Sequence, residues 1–411
     1  MRVKKVFVIF LVLLFLISLR IATYSFPNTG SRSNPAANGL YDYKGLIHVH
    51  TTYSDGAGTA EEVAETADRA GIDFLITTDH NTLQPMMDQK EGWYHQLLLL
   101  NGEEIRMDVK EYALALGISR EVQRNGRDGQ AVVDEIQGQG GMAFISHPIH
   151  PRHEWKDWGM KRMTGMEIID ASEQWEGANP FAVLWALMTY PLNSSYAFLN
   201  LFNKPRDVLA VWDKINQTER MVGIYSVDLH GQIRIRKGKY IRFPPMEKVM
   251  PLATNHLLLP EPFQGDPVLD KKMVYEGIRE GHLYFSIDLL GDPTGFLFQG
   301  TTGNGGKILM GDELTPSGPV TLTASLGGAF QPDSYRIVLI KDGEVVSESS
   351  TSPLVFEATD TGVYRVEVEI KRRSPFFLPR SNTWIYSNPI YLRGKPEMEA
   401  YPESEGERQP Q

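Results

Sequence analysis

Five separate apolar runs in this chain each end in imidazole or carboxylate, and that recurrence limits the folds open to it. The runs are IHVHTTYSDG from Ile47, FLITTDHN from Phe74, LLLLNGEEI from Leu97, AFISHP from Ala143 and GIYSVDLHG from Gly223. A buried strand gains nothing from an ionisable residue at its end unless something there compensates the lost hydration. Further runs of strand composition fall at Tyr112 to Leu116 and Met166 to Ile169, with helical patterns between. Alternation of this kind predicts parallel βα units, whose functional groups gather at the carboxyl ends of the strands. Between the first two runs, Thr59 and Glu62 read as a capping box ahead of Val63, Ala64 and Ala67, and Gly71 stops that helix.

The chemistry follows from spacing and residue type. In a strand, residues i and i+2 share a face about 6.6 Å apart, so His48 and His50 are expected to point at one ion. Asp55 follows in a Gly-bearing turn able to close around it. In the second run His80 reads as a ligand and Asp79 as its orienter. In the third, adjacent Glu103 and Glu104 cannot face the same way. Glu104 is taken as the bridge between two cations about 3.5–4 Å apart, and Glu103 as solvated or supporting. His147 closes the fourth run, while His150 and His153 read as loop residues. The fifth supplies Asp228 and His230, repeating the spacing of the first. There is no cysteine among the 411 residues, so imidazole and carboxylate are the only strong metal-binding groups. Zinc, manganese and iron all suit such ligands.

As a set these motifs resemble the PHP family, the polymerase and histidinol phosphatase domain, over roughly residues 43–291. The resemblance implies a distorted (β/α)7 barrel and a metal-dependent phosphoesterase holding two or three divalent ions. It implies that His48, His50, Glu104 and Asp228 hold one ion, that Asp55, His80 and His230 hold another, and that His147 serves a third with Glu104 as bridge. Asp55, His80 and His230 are also the candidate catalytic residues. The family usually supplies a further histidine on the strand after the glutamate. Here EYALALG places Tyr112 there, with Glu111 beside it as a possible substitute. Tyrosine, titrating near ~10, is a poor ligand at neutral pH. The same segment resembles the subgroup containing carbaryl hydrolase, which widens the implied substrates to carbamate and carboxyl esters. That subgroup often carries a C-terminal β-module with a stretch like SNPIYL, Ser387 to Leu392. The expected reaction is attack by an ion-activated hydroxide on a small-molecule ester, above all a phosphoester. Arg106 and Arg152 are candidate phosphate grips.

The remainder of the chain divides by texture. Residues 1–24 carry Arg2, Lys4 and Lys5, then the apolar run Val6 to Leu19, and read as a signal peptide or an N-terminal membrane anchor of an exported protein. Loss of that segment would remove four of the 41 basic residues, leaving 37 against 51 acidic and a net charge near −14. Such a surface repels nucleic acid. Residues 25–42 read as a linker. A dense apolar insertion at 177–212 reads as a helical pair packed on the barrel, or as a lid or membrane-facing surface. Residues 292–314 read as a connection and 315–393 as an immunoglobulin-like β-sandwich, with a hairpin signal at Asp342-Gly343 and a tyrosine corner at Asp360, Gly362 and Tyr364. Residues 394–411 read as a disordered tail. A non-catalytic metal-binding scaffold, with the sandwich as an adhesion or carbohydrate-binding part, is the rival from a different class.

Overall fold

The computed structural model describes residues 2–27, 39–107, 111–123, 128–150, 152–153, 155–236, 238–328, 332, 334–373 and 379–393. The expected tail and most of the expected linker lie outside these residues. An apolar helix, α1 (Arg2–Ala22), comes first. Then follow β1 (Tyr41–Val49), α2 (Ala60–Arg69), β2 (Phe74–His80), α3 (Gln84–Met87), β3 (Gly92–Tyr94), β4 (Leu97–Arg106) and β5 (Tyr112–Leu116). The chain continues through α4 (Gly129–Gly138), β6 (Met142–Ser146), β7 (Gly165–Asp170), α5 (Ala171–Glu176), α6 (Pro180–Thr189), α7 (Ser194–Leu199), α8 (Arg206–Asn216) and β8 (Val222–Ser226). The small hairpin of β9 (Ile233–Arg236) and β10 (Lys239–Ile241), then α9 (Met246–Val249), β11 (Thr254–Leu259), α10 (Pro267–Arg279) and β12 (Leu283–Ser286) complete this part.

Seven strands hydrogen-bond in the order β1-β2-β4-β5-β6-β7-β8. The chain just past β8 then returns to β1. Val227 N donates to Ile47 O at 3.1 Å, Leu229 N to His48 O at 3.3 Å, and His50 N to Leu229 O at 3.1 Å, so the run closes on itself. The amino-terminal half of β1 pairs instead with β11, antiparallel, from Tyr41↔Leu259 to Gly45↔Asn255. Alternate strand residues fill the ring: Ile47, Ile76, Leu100, Leu114, Phe144 and Ile224 form one buried cluster, which Val274 and Ile278 of α10 join. The opposite strand faces pack on the helices, where Thr59 and Glu62 form the expected capping box and Val63, Ala64 and Ala67 are buried.

The expected all-parallel alternation is corrected at β5, which runs antiparallel to both β4 and β6. Five residues separate Arg106 from Tyr112, too few for the crossover that a parallel pair demands. The insertion at 177–212 is helical, as α6, α7 and the first part of α8, and α6 and α7 meet around the buried Ala186, Ala197 and Leu201.

The C-terminal strands are β13 (Leu297–Thr302), β14 (Lys307–Leu309), β15 (Glu313–Leu314), β16 (Val320–Ser325), β17 (Tyr335–Lys341), β18 (Glu344–Ser349), β19 (Leu354–Ala358), β20 (Gly362–Arg373), β21 (Pro379–Ser387) and β22 (Ile390–Leu392). Residues 292–314, expected as a connection, therefore contain three strands, and β13 pairs with β16 across the expected boundary at 315. One sheet has the order β14-β13-β16-β19. The others continue the main sheet, because β21 pairs with β12. Asp342 (φ 52) and Gly343 (φ 91) make the β17–β18 turn with both residues left-handed, as a two-residue hairpin of this hand requires. The Tyr364 hydroxyl donates to Asp360 O at 2.9 Å.

Candidate metal centre

The five runs converge. His48 Nε2 lies 3.5 Å from Glu104 Oε2 and 3.3 Å from Asp228 Oδ1, and His50 Nε2 lies 3.5 and 3.2 Å from the same two atoms. His80 Nδ1 approaches Glu104 Oε2 at 2.7 Å, and His147 Nε2 approaches the other oxygen, Oε1, at 3.3 Å. Asp55 Oδ1 stands 3.2 Å from His230 Nε2 and 3.6 Å from His80 Nε2. The other seven expected ligands thus gather around Glu104 of β4, at or just past the carboxyl ends of β1, β2, β6 and β8.

The local backbone explains how they meet. The β1–β2 register slips between Ile47 and Val49, making His48 the extra residue of a bulge, with φ 71. Simple alternation is therefore not what brings His48 and His50 together. A bulge re-aims one side chain, and here it swings His48 to the same carboxylates as His50. His147 (φ 54) and Asp228 (φ 40) are left-handed too. Three such residues at one site cost on the order of 1–3 kcal/mol each, strain that packing must hold. Asp79 carries the Asp55 turn: it accepts from Thr51 N at 2.8 Å, Thr51 Oγ1 at 2.7 Å and Ser54 Oγ at 2.6 Å. A side chain at Gly56 would strike His50 O, so that turn needs glycine.

Three carboxylates that the sequence reading did not assign to the site hold the imidazoles from behind. Glu167 Oε1 takes His48 Nδ1 at 2.7 Å, and Glu167 Oε2 accepts from Ser146 Oγ and from His147 N. Asp170 and Glu173 lie 3.2 and 3.3 Å from His147 Nδ1. Each of these contacts fixes which nitrogen faces the cluster. His150 and His153 lie at the mouth, with ring centroids 6.0 and 6.4 Å from His147. Arg152 pairs there with Glu176. Arg106 is exposed. Glu103 is buried away from the ligands, accepting from Val122 N. Glu111 is no substitute ligand: its Oε1 accepts from the backbone of Lys156 and Asp157, fixing that loop. Tyr112 walls the mouth, 6.0 Å from the His80 ring and 5.9 Å from that of His147. Burial pushes its phenol up, which keeps it protonated.

The donor set suits cations. The buried atoms His48 Nε2, His50 Nε2 and both Glu104 oxygens make no hydrogen bond, although they lie within 2.7–3.5 Å of other ring nitrogens and carboxylate oxygens. Lone pairs that face a common space without bonding one another are arranged for an ion. Among the described residues five sets have ligand atoms mutually within 4.8 Å: His48, His50 and Glu104; His50, Asp55, His80 and His230; His48, His147 and Asp228; and two that include Asp170, with His48 and Glu167 or with His147 and Glu173. Burial works against charge here, yet Glu104, Glu167 and Asp228 hold His48 well above its usual range, and Asp228 and Asp55 lift His230 to about 9. Burial and the neighbouring His230 push His50 down to about 4. Glu104 and Asp228 stay ionised against burial because the imidazoles hold them well below the usual carboxylate range. Burial lifts Asp170 to about 7.

No family model matches the chain. A curated relative, the uncharacterized protein MJ1587 of Methanocaldococcus jannaschii, is 25% identical over 120 residues, 26% of this chain and 69% of that protein. Among solved structures, it is similar to a two-domain protein from Bacteroides vulgatus described as containing a predicted PHP-like metal-dependent phosphoesterase. That match has a TM-score of 0.38 and 15% identity, covering 88% of this chain and 99% of the other. PsfC from Pseudomonas syringae matches at TM-score 0.35 and 10% identity, over 56% and 88% of the two chains. An amidohydrolase from Chromobacterium violaceum matches at TM-score 0.28 and 14% identity, over 49% and 92%.

Proposed function

We propose that this chain is an exported metal-dependent hydrolase of the PHP type, its ring of strands being the distorted barrel of that family, and that it cleaves a small-molecule phosphoester. The observation that carries the reading is Glu104, whose two unbonded oxygens are shared by imidazoles arriving from the ends of three strands, His48 and His50, His80, and His147. Bound divalent ions would supply Lewis-acid polarisation of the ester and a nucleophile at neutral pH.

The chain's own residues set the rest. His48, His50, Glu104 and Asp228 would hold one ion, and Asp55, His80 and His230 a second. His147 would face a third through Nε2, its other nitrogen held by Asp170 and Glu173. Asp55, its side chain half exposed, opens the cluster to solvent, so a substrate meets that side first. It stays ionised against its burial because His230 bonds to it. Arg152 stands at the same mouth, where a phosphate's charge would arrive. A carbamate or carboxyl ester is the second reading, favoured by Tyr112 standing where a histidine would complete the third ion's ligands.

Metal analysis of the purified protein, joined to a panel of phosphomonoesters, phosphodiesters, carboxyl esters and carbamates, tests this. His48→Ala and Asp228→Asn are expected to lose bound metal and more than about 100-fold in turnover, beyond the loss expected from an outer partner. Full activity in either variant would refute the site. A wild type that binds metal and hydrolyses nothing would favour the scaffold.

A further inference from the structure

Twenty-seven residues lie between Glu176 and Lys204, and none of them is charged, in a chain that is 22% charged overall. They contain α6, and its apolar residues do not all go inside. Phe181 is 84% exposed, and Leu184, Leu187 and Met188 are exposed on the same face, at spacings of three and four. Leu192 adds to them just beyond the helix. Leaving such a stripe in water is unfavourable, and contiguous exposed apolar surface marks a contact with another apolar phase.

The foot of α1 meets this insertion. Asn193 Nδ2, four residues past the end of α6, donates to Ile21 O at 3.1 Å and Tyr24 O at 2.8 Å. Ile21 is buried. The Tyr24 ring packs on Tyr196 at 5.9 Å, and the Arg372 guanidinium lies 5.3 and 5.2 Å from the Tyr24 and Phe26 rings. Lys5–Ala22 has a mean hydropathy of 2.6 and holds the unbroken apolar run Val6 to Ile17, with Lys5 and Arg20 as its charges, and its eighteen residues rise about 27 Å, close to the thickness of a bilayer's hydrocarbon core. A helix of that kind, clamped at its foot to the folded part, sets the foot at the lipid surface, and α6 adjoins the foot. On the other side of this insertion a trough of about 570 Å³ runs to the metal centre, lined by Asp55, Asp228 and His230 at one end and by Trp175, Phe198 and Phe202 towards the helices.

We propose that α1 is retained as an anchor, that the exposed face of α6 lies in the lipid interface beside it, and that the trough receives a phosphoester carried by an amphipathic, lipid-borne molecule. The last clause rests on the hydrolase reading above. The seating of α6 does not. Arg2, Lys4 and Lys5 at the start of α1 and a site on the far side agree with the charge rule for membrane orientation.

Because the chain lacks cysteine, Phe181→Cys, Leu184→Cys and Met188→Cys each accept a single nitroxide without background labelling. The full-length protein is placed in vesicles of phosphatidylcholine and phosphatidylglycerol at three to one. Nitroxides at these three positions are expected to collide more with oxygen than with a water-soluble nickel chelate. One at Val268→Cys, exposed on α10 where the ring is closed off from the site, is expected to show the reverse. Aqueous profiles at 181 and 184 matching that at 268 would overturn the seating. For the substrate, the quadruple variant F181S/L184S/L187S/M188S is expected to lose about tenfold on a phosphatidyl ester in the vesicles and to keep its rate on p-nitrophenyl phosphate in solution. Equal rates of wild type and variant on the vesicle ester overturn the lipid-borne substrate. A wild type inert on both esters defeats the phosphoester reading, and the nitroxide depths still decide the seating.

Discussion

At the scale of single residues, the site depends as much on what stands behind the imidazoles as on the imidazoles. Glu167 touches His48 at Nδ1, Ser146 at its hydroxyl and His147 at its backbone, so it couples two ligands from strands β1 and β6. Glu167→Gln keeps the shape and removes the charge. Loss of such an outer partner costs about 10–100-fold in metal affinity, and competition against a chelator is expected to show a drop of that size. An unchanged affinity would leave Glu167 a purely structural residue. Seven of the eight candidate ligands stand out in the sequence because each interrupts or ends an apolar run, where burying a charge is unfavourable without compensation, and Asp55 stands out by following the first of them into a turn. Glu167 obeyed the same logic, a carboxylate inside the strand MEIID, but a single acid within an apolar run looks like ordinary strand variation. The left-handed conformations of His48, His147 and Asp228 left no trace either. Residues outside glycine that adopt them do so because tertiary packing imposes it.

At the scale of elements, the notable feature is how β8 is held. It pairs with β7 along one edge, and two asparagine side chains supply hydrogen bonds along the other. Asn255 accepts from Tyr225 N at 2.9 Å and donates to Tyr225 O at 2.8 Å. Asn388 accepts from Gly223 N at 2.8 Å and donates to Gly223 O and to Leu283 O, both at 2.9 Å. A primary amide used this way imitates a neighbouring strand. Asn388→Ala would leave the buried N–H and C=O of Gly223 short of a partner, while Leu283 O keeps the Asn388 backbone N–H at 3.4 Å, a loss on the order of 2–4 kcal/mol. The urea midpoint is expected to fall accordingly, and a fall below about 0.5 kcal/mol would show that water replaces the amide. Asn388 belongs to the stretch SNPIYL, visible in the sequence only as a resemblance, whereas its use as a staple depends on strands 165 residues away. Strand identity was legible from composition and spacing. Direction was not, since the turn from β4 to β5 carries no mark beyond its shortness.

At the scale of the whole molecule, six of the C-terminal strands, β15, β17, β18, β20, β21 and β22, continue the main sheet, and the junction is an ionic cluster. Strand pairing crosses residue 315, and the Gly-rich turn at Thr302 to Gly306 hides the β13–β14 hairpin before it from a reading of the sequence. At the junction His256 of β11 lies 2.8 Å from Asp42 and 3.5 Å from Asp288, stacked on Tyr284 at 4.6 Å. Asp42 also accepts from Tyr284 and from Gly295 N at 2.9 Å, and Lys44 lies 3.5 Å from Asp292. Burial alone would pull His256 down, but Asp42 and Asp288 raise it to about 9. A group raised on folding stabilises fully below its unfolded value, near ~6.5, and that contribution disappears as the pH climbs through about 9. The difference of roughly 2.5 units, at ~1.36 kcal/mol each, sets a scale of about 3 kcal/mol. The imidazoles of the metal centre titrate in both proteins, so the comparison with His256→Gln cancels them. The excess stability of wild type over the variant is expected to be largest at pH 6 and to shrink towards zero by pH 9.5 in urea titrations. A gap that stays constant across that range would mean that His256 is neutral in the fold and that packing alone joins the ring to the C-terminal strands.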